Sequence, residues 1–166
     1  MRLDQVLLVP TATQPFKRDS VSAPQQHRVV MCEKAVRNDS RFAVSTVDVD
    51  RGGVTYTIDT LRDLLRQHPD AELFFIAGAD SLSRLSEWKD AAQLGSLAQF
   101  VGVTRSGHSF PQVEAAHRFV EVPSLAISSS DIRGRVRAGA PIRYLVPTPV
   151  ADYIAKHELY LGGLDD

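Results

Sequence analysis

Short apolar runs alternate with stretches of helical spacing along the whole chain. A short run rich in β-branched or aromatic side chains predicts a strand, and apolar residues three and four positions apart predict a helix. The predicted strands are Val6–Val9, Phe42–Val47, Leu73–Ala77, Phe100–Val103 and Phe119–Val122. The predicted helices are Pro24–Asn38, Thr57–His68, Asp80–Leu85, Asp90–Leu97, Ser130–Ala138 and Val150–His157. This alternation predicts an α/β fold with a parallel sheet.

Leu73–Ala77 is the clearest of the predicted strands. Every residue in it is apolar and Gly78 follows directly, which predicts a strand covered on both faces. Ligands of parallel α/β sheets bind beyond the carboxyl ends of the strands. We therefore expect the chemistry in the loops that follow the predicted strands, which begin after Val9, Val47, Ala77, Val103 and Val122.

The composition restricts what these loops can hold. The 166 residues carry 19 Lys and Arg against 20 Asp and Glu, a formal charge of −1, so no broad positive field exists to bind nucleic acid or a membrane surface. Any phosphate ligand must be held by local groups.

The single Cys32 excludes an intramolecular disulfide framework and favours a reducing compartment. The length of the chain favours one domain. Because the sequence shows neither a signal-peptide pattern nor an apolar run long enough to span a membrane, we expect that domain to be cytoplasmic.

Three consecutive serines, Ser128, Ser129 and Ser130, stand where a helix is predicted to begin. The unpaired N–H groups and the positive dipole end of a helix N-terminus favour an anion. Arg133 follows one helical turn after Ser130, so its guanidinium could close over a phosphate that the hydroxyls hold. The alternative is that Ser129 or Ser130 only caps the helix and that Arg133 is a solvated surface residue.

Five further candidate residues lie in or near the other loops. Thr57 opens a predicted helix, where it could cap the helix or face a substrate carboxylate. Gly78 permits close approach of a ligand to the backbone, and Asp80 could accept from ribose hydroxyls or only cap a helix. Trp88, the sole tryptophan, could stack on an aromatic ring or cover the core. Lys17, in the loop after the first strand, could reach a phosphate.

Several common chemistries lack their signatures in this sequence. The histidines show no spacing typical of a metal site, and one cysteine cannot form a cysteine cluster. Neither a P-loop nor a GxGxxG pattern occurs, and no serine lies in a G-x-S-x-G turn. The sequence therefore predicts no metal site built from protein ligands and no serine hydrolase.

Short motifs follow one another in a fixed order along nearly the whole chain. They are Val9-Pro10 with Lys17; Arg51-Gly52-Gly53 with Thr55-Tyr56-Thr57 and Asp59-Thr60-Leu61; Gly78-Ala79-Asp80 with Trp88; Arg105-Ser106-Gly107; Ile127-Ser128-Ser129-Ser130 with Ile132-Arg133; and Val146-Pro147 with Val150, Tyr153-Ile154 and Leu159-Tyr160. This series resembles bacterial nicotinate-mononucleotide adenylyltransferases. The resemblance implies a Rossmann-like nucleotidyltransferase fold. It also implies transfer of the AMP part of ATP to nicotinate mononucleotide, releasing pyrophosphate and forming nicotinate adenine dinucleotide, with Mg²⁺ assisting.

The resemblance assigns the phosphate side of the reaction to two regions. Ser128, Ser129, Ser130 and Arg133 match an ISSTxIR signature that holds the ATP phosphates, with serine at position 130 where threonine is usual. Lys17 matches a basic loop residue near phosphate.

The acceptor side is assigned to residues in the middle of the chain. The resemblance implies that Trp88 stacks on the nicotinate ring. Thr57 and the backbone N–H of Lys89 would hold the carboxylate of that ring. Gly78 and Asp80 would contact the nucleotide near the ribose. The adenine side would include the loop that carries Arg105.

The sequence departs from the family's pattern at its beginning. The family starts with a strand that leads into a GTFDPxHxGH segment, whose two histidines contact the ATP phosphates, and Val6–Val9 corresponds to the family's second strand. We therefore expect residues 1–166 to form a single, N-terminally incomplete nucleotidyltransferase-like domain whose sheet lacks its first, central strand. The chain as written is then expected to have impaired activity.

Two other interpretations remain at this point. The chain could be a non-catalytic nucleotide-binding remnant, or a related nucleotidyltransferase with another acceptor such as phosphopantetheine. Trp88 and Thr57 argue against the latter, because they suit a flat ring that carries a carboxylate. The expected partners are the small molecules ATP and nicotinate mononucleotide, and a homo-oligomer is left open.

Overall fold

The computed structural model describes residues 3–13, 23–105, 116–123 and 127–162. Its strands are β1 (Val6–Leu8), β2 (Phe42–Val44), β3 (Phe74–Gly78), β4 (Gln99–Arg105) and β5 (Ala116–Val122). Its helices are α1 (Gln25–Val36), α2 (Val47–Arg51), α3 (Thr57–Gln67), α4 (Ala79–Leu82), α5 (Ala91–Leu97), α6 (Ser129–Arg137) and α7 (Thr148–Lys156), with a 3₁₀ turn at Leu85–Glu87. The chain divides into two compact units. Unit 1 is Met1–Gly53 with Ala126–Asp166, and unit 2 is Val54–Leu125.

Unit 1 contains a two-stranded parallel sheet and the helices α1, α2, α6 and α7. β1 pairs with β2, with Val6 opposite Phe42. Helices α1 and α7 pack against each other. The buried residues of the associated cluster are Ala23, Val150, Ile154 and Leu159. This cluster holds the chain just before α1 against the C-terminal helix and the residues that follow it.

Unit 2 contains a three-stranded parallel sheet with β4 in the middle, in the order β3-β4-β5. Helices α3, α4 and α5 contribute apolar side chains to one cluster with the sheet residue Phe100. Phe100, Ile58, Leu82 and Leu94 have no exposed surface. The regular spacing of Ile58, Leu61 and Leu64 along α3 explains why that helix buries one face.

The predicted α/β fold with parallel pairing is confirmed, but two of the predicted elements differ from the structure in kind. The predicted strand Phe42–Val47 ends at Val44, and Val47 begins α2, in which the buried Asp48 bonds to Arg51 at 2.6 Å. The predicted helix Asp80–Leu85 is two pieces, because α4 ends at Leu82 and the 3₁₀ turn begins at Leu85. Among the helices described, none has both the length and the apolar character needed to cross a membrane.

The predicted coverage of β3 on both faces is also wrong. Phe75 packs on the cluster of unit 2, whereas the side chain of Ile76, which points to the opposite face, is 46% exposed. Within the described sheet β3 pairs only with β4. A continuous apolar run does not show by itself whether a strand is central or at an edge, and this explains the difference.

The close contact between Gly102 and Phe119 gives a test of the packing in unit 2. A Cβ atom on Gly102 would lie 2.5 Å from two ring carbons of Phe119, its neighbour across the sheet. We expect Gly102→Ala to lower the free energy of unfolding by about 1–3 kcal/mol, because the ring must shift. Urea unfolding measures this change.

Gly95→Ala is the matched control for Gly102→Ala. Gly95 lies within α5, where an added Cβ meets nothing within 4 Å. This substitution should raise stability by about 0.5–1 kcal/mol, since alanine favours a helix. Equal effects of the two substitutions would show that the contact with Phe119 is unimportant.

Candidate functional site

The serine cluster lies at the start of α6 in unit 1. Ser128 is the N-cap in an extended conformation, and its hydroxyl oxygen accepts from the backbone N–H of Asp131 at 3.0 Å. The alternative in which Ser129 or Ser130 caps this helix is therefore wrong, because the cap is Ser128, one or two positions earlier. Ser129 and Ser130 form the beginning of the first turn and are exposed. Their hydroxyls stand beside the backbone N–H groups that an N-terminus directs outward.

Arg133 lies on the same face of α6 as Ser130, as the spacing predicts. One guanidinium nitrogen, Nη2, donates to the Ser130 hydroxyl at 3.1 Å. The alternative of a freely solvated Arg133 does not hold, because the side chain is partly buried and bonded within the serine cluster. Arg135 differs from it, since it forms an exposed ion pair with Asp131 at 3.3 Å. Arg133 thus provides a cation beside two serine hydroxyls.

The cap at Ser128 gives a testable expectation for stability. Ser128→Ala should lower the free energy of unfolding by about 1 kcal/mol, because the Asp131 N–H loses its acceptor. Thermal unfolding measures this loss. Ser128→Asp retains an acceptor and should stay close to the parent chain, whereas Ser129→Ala removes a hydroxyl from the same turn without removing the cap. An equal loss in both alanine variants would contradict the assignment of the cap.

Thr57 and Lys89 lie in one region of unit 2. Lys89 Nζ donates to Asp59 Oδ2 at 2.9 Å and lies 4.7 Å from the centre of the Tyr56 ring. These contacts join the segment after the 3₁₀ turn to the first turn of α3. Thr57 is the first residue of α3 and Tyr56 is its N-cap, so the predicted capping role of Thr57 is wrong. Its side chain is consequently not needed as the cap.

Trp88 packs on the core of unit 2 and remains partly exposed. Its ring meets the rings of Phe75 and Phe100 edge to face, with centroids 5.8 and 6.4 Å away. The interpretation that Trp88 covers the core is therefore confirmed. The same contacts fix the orientation of the indole beside Lys89, so core packing and a stacking role are compatible.

Gly78 and Asp80 lie where β3 meets α4. Gly78 ends the strand and is the N-cap of α4, with a φ of −61°, a conformation open to any residue. A Cβ atom there would meet nothing within 4 Å, so the backbone borders open space. Asp80 is an exposed residue inside the first turn of α4, and the prediction that it caps this helix is wrong.

Two candidate residues cannot be placed in full. Lys17 lies outside the described residues, as does the side chain of Arg105. The backbone of Arg105 ends β4, opposite Val122 of β5, so the loop begins after Arg105 rather than at it. Within the described part of the chain, no group of three or more His, Cys, Asp and Glu side chains is arranged to hold a metal ion.

Sequence reasoning missed two contacts beside the candidate residues. The bond between Lys89 and Asp59 joins residues 30 positions apart, and no local pattern indicates it. Arg28 of α1 donates to two backbone carbonyls, those of Ala12 and Ala23. The only sequence signal for these two contacts is that Arg28 stands early in a predicted helix, just after a long polar stretch.

The fold and the ordered motifs agree with the match to a known family. Residues 1–135 match the model of the family described as cytidylyltransferase-like. The chain belongs to this family.

Curated relatives show to which group of enzymes within the cytidylyltransferase-like family the chain is most similar. The chain is 52% identical over 167 residues to a probable nicotinate-nucleotide adenylyltransferase of Clavibacter sepedonicus, covering 99% of this chain and 82% of that protein. Proteins of the same name from Arthrobacter sp. (strain FB24) and Tropheryma whipplei (strain Twist) are 53% and 51% identical, with 98% and 95% of this chain and 80% and 84% of theirs covered. Within the family, the chain groups with the nicotinate-nucleotide adenylyltransferases.

A solved structure is similar in fold. The Plasmodium falciparum nicotinic acid mononucleotide adenylyltransferase complexed with NaAD aligns with a TM-score of 0.76 at 20% identity, covering 98% of this chain and 85% of that chain. The agreement confirms the predicted nucleotidyltransferase type of α/β fold.

Proposed function

We propose that the protein transfers the adenylyl group of ATP to nicotinate mononucleotide, giving nicotinate adenine dinucleotide and pyrophosphate in NAD biosynthesis. The relatives at about half identity carry this activity in their names. The observation in the structure that carries the proposal is the start of α6, where Arg133 is bonded to Ser130 beside a capped helix N-terminus. That arrangement provides the local positive charge that a triphosphate needs in a chain of net charge −1.

The chemistry requires that two anions be brought together. A phosphate oxygen of nicotinate mononucleotide attacks the α-phosphorus of ATP, a new P–O bond forms, and the bond to the pyrophosphate oxygen breaks. No covalent enzyme intermediate is needed, so catalysis consists of positioning and charge neutralisation. Ser129, Ser130 and Arg133 would bind the phosphates of ATP, with Ser128 holding the helix start in place. Lys17 is proposed to add a second cation.

The acceptor is proposed to bind in unit 2. The partly exposed indole of Trp88 would stack on the nicotinate ring, and Thr57 with the backbone N–H of Lys89 would hold its carboxylate. The bond from Lys89 to Asp59 supports this, because it keeps the Lys89 segment beside the first turn of α3. The open backbone at Gly78 and the exposed Asp80 carboxylate suit contact with a ribose.

Magnesium is proposed to enter with ATP. Mg²⁺ retains several waters and is commonly held by phosphates with only one or two carboxylates. The described residues contain no cluster of three metal-ligating side chains. The triphosphate would therefore supply most of the ligands, and the ion would neutralise part of its charge. A homo-oligomeric assembly, a single-domain organisation and a cytoplasmic location remain predictions.

A comparison of acceptors tests the proposed function. The protein is incubated with ATP and Mg²⁺ and, in parallel, with nicotinate mononucleotide, nicotinamide mononucleotide or phosphopantetheine. Pyrophosphate release and the dinucleotide product are measured. We expect the highest kcat/KM with nicotinate mononucleotide, because Thr57 and Lys89 suit a carboxylate. Low rates that still favour nicotinate mononucleotide would agree with the expected impairment, whereas turnover only with phosphopantetheine, or nucleotide binding without detectable turnover of any acceptor, would overturn the proposal.

A further inference from the structure

Residues 88–90 connect the 3₁₀ turn of unit 2 to helix α5 and form neither helix nor strand. They carry two groups proposed to bind the acceptor, the indole of Trp88 and the backbone N–H of Lys89. The segment ends at Asp90, whose φ of 52° and ψ of 38° lie in the left-handed region. A short connection without a regular hydrogen-bond ladder keeps one geometry only where neighbouring elements hold it.

Arg62 of α3 reaches from that helix to this segment and to α5. Its Nη2 donates to Gln93 Oε1 at 2.8 Å, and its Nη1 lies 3.9 Å from a carboxylate oxygen of Asp59 and 3.9 Å from one of Asp90. Asp59 in turn accepts from Lys89 Nζ at 2.9 Å. A guanidinium can serve three groups because its N–H donors project from a rigid plane. We call Asp59, Arg62, Lys89, Asp90 and Gln93 the Arg62 bridge.

The side chains of Lys89 and Asp90 are both directed to α3 rather than to their own segment. Asp90 is the N-cap of α5, a position from which an aspartate commonly accepts from the first turn, yet its side chain makes no such bond. It lies beside Arg62 instead. Asp59 and Arg62 are one turn apart and share one face of α3. Two consecutive residues of the segment are therefore held by the same face of one helix.

The Arg62 bridge is too exposed to contribute much to the stability of the fold. Its four charged side chains are between 26% and 42% exposed, and ion pairs of this kind add little to global stability. Unit 2 is held together by its apolar cluster, to which α3 contributes Ile58 and Leu61 and α5 contributes Leu94. The effect of the bridge is consequently local, because it restricts residues 88–90 on a fold that does not depend on it.

We propose that Arg62 and Asp59 are positioning residues for the acceptor, because they hold residues 88–90 in one geometry. The indole of Trp88 then meets the nicotinate ring, and the backbone N–H of Lys89 meets its carboxylate, without rearrangement of the segment. This inference rests on the proposed function, since it deepens the acceptor site assigned there. Neither positioning side chain needs to touch the substrate. Weak contacts suffice, because a segment that is ordered in advance spares binding the entropic cost of ordering it.

Binding of nicotinate mononucleotide tests the Arg62 bridge apart from turnover. Calorimetry gives the Kd, and the fluorescence anisotropy decay of Trp88, the sole tryptophan, gives the nanosecond mobility of the indole in the free protein. We expect Arg62→Gln to weaken binding about three- to tenfold and to speed the decay, because it breaks several coupled contacts at once. Arg66→Gln is the matched control, since Arg66 pairs with Asp63 on the same helix. Its Kd should stay within twofold of the parent value.

Lys89→Met separates the Arg62 bridge from the backbone contact. It removes the ammonium but retains the N–H that is proposed to hold the carboxylate. We expect about two- to fivefold weaker binding for Lys89→Met and a similar loss for Asp59→Asn. The double variant should bind little worse than Asp59→Asn alone, because both substitutions remove the same bond. Nicotinamide mononucleotide lacks the carboxylate, so its binding should change less in each of these variants.

The outcomes distinguish this inference from the proposed function. Unchanged binding in Arg62→Gln would overturn the positioning role, whether or not the indole becomes more mobile. Equal losses in Arg62→Gln and Arg66→Gln would do the same, since loss of charge alone would explain them. If Arg62→Gln does not fold, Lys89→Met and Asp59→Asn decide the question. If the parent protein binds nicotinate mononucleotide but forms no dinucleotide, the proposed function fails while the bridge is still judged by binding. A parent protein that binds no nicotinate mononucleotide would overturn both.

Discussion

Replacing Arg133 with alanine is expected to lower kcat for adenylyl transfer by about 10²–10³-fold. A donor aimed at the charge that develops in a transition state contributes about 2.7–4 kcal/mol. Arg133 is the cation that the structure holds beside the hydroxyl of Ser130 on α6. Continuous measurement of pyrophosphate release at saturating ATP and nicotinate mononucleotide gives kcat directly.

Arg135→Ala is the matched control for Arg133→Ala. It removes the same charge from the same helix, but from an exposed side chain that is paired with Asp131. We expect less than a threefold change in kcat for this control. Arg133→Lys keeps a charge but lacks the planar fork, so it should recover only part of the rate. Similar rates for the Arg133 and Arg135 alanine variants would show that Arg133 has no special role.

Replacing Trp88 with leucine is expected to raise the KM for nicotinate mononucleotide about 5- to 150-fold. Stacking of a base on an aromatic side chain contributes about 1–3 kcal/mol. Leucine retains apolar contact with Phe75 and Phe100, so most of the core packing should remain. Steady-state titration of nicotinate mononucleotide at fixed ATP measures the effect.

The KM for ATP is the internal control for Trp88→Leu and should stay within twofold. Trp88→Phe preserves an aromatic face and should lose much less acceptor affinity than the leucine variant. Thermal unfolding of both variants separates packing from stacking. If both KM values rise together as stability falls, Trp88 acts only as a core residue and the proposed stacking is wrong.

Periodicity was sufficient to predict most helices and strands, but it failed where tertiary contacts decide. Val47-Asp48-Val49-Asp50 alternates apolar and acidic residues as a half-buried strand does. The chain forms α2 there, with Asp48 1% exposed and bonded to Arg51 one turn later. The alternation of apolar and acidic residues does not show that a carboxylate will be buried against an arginine of its own helix. Ile76 could not be recognised as exposed either, because a continuous apolar run does not show which face of a strand is covered.

The candidate site was predictable where its residues are close in sequence. Spacing placed Arg133 beside Ser130, and the structure shows that bond. Spacing alone did not fix the cap positions, because several adjacent polar residues can each cap a helix. Ser128 is the N-cap where Ser129 or Ser130 was considered, and Tyr56 is the N-cap where Thr57 was considered. Contacts between distant residues, such as Lys89 with Asp59, depend on how whole elements pack.

The bond between Ser130 and Arg133 also bears on the entropy of ligand binding. A long, freely rotating side chain loses about 0.5–1.5 kcal/mol of conformational freedom when a ligand immobilises it. Arg133 has already given up part of that freedom in folding, since it is partly buried and bonded to Ser130. An arriving anion therefore meets a guanidinium that is pre-organised, and less of its binding enthalpy is offset by ordering the protein.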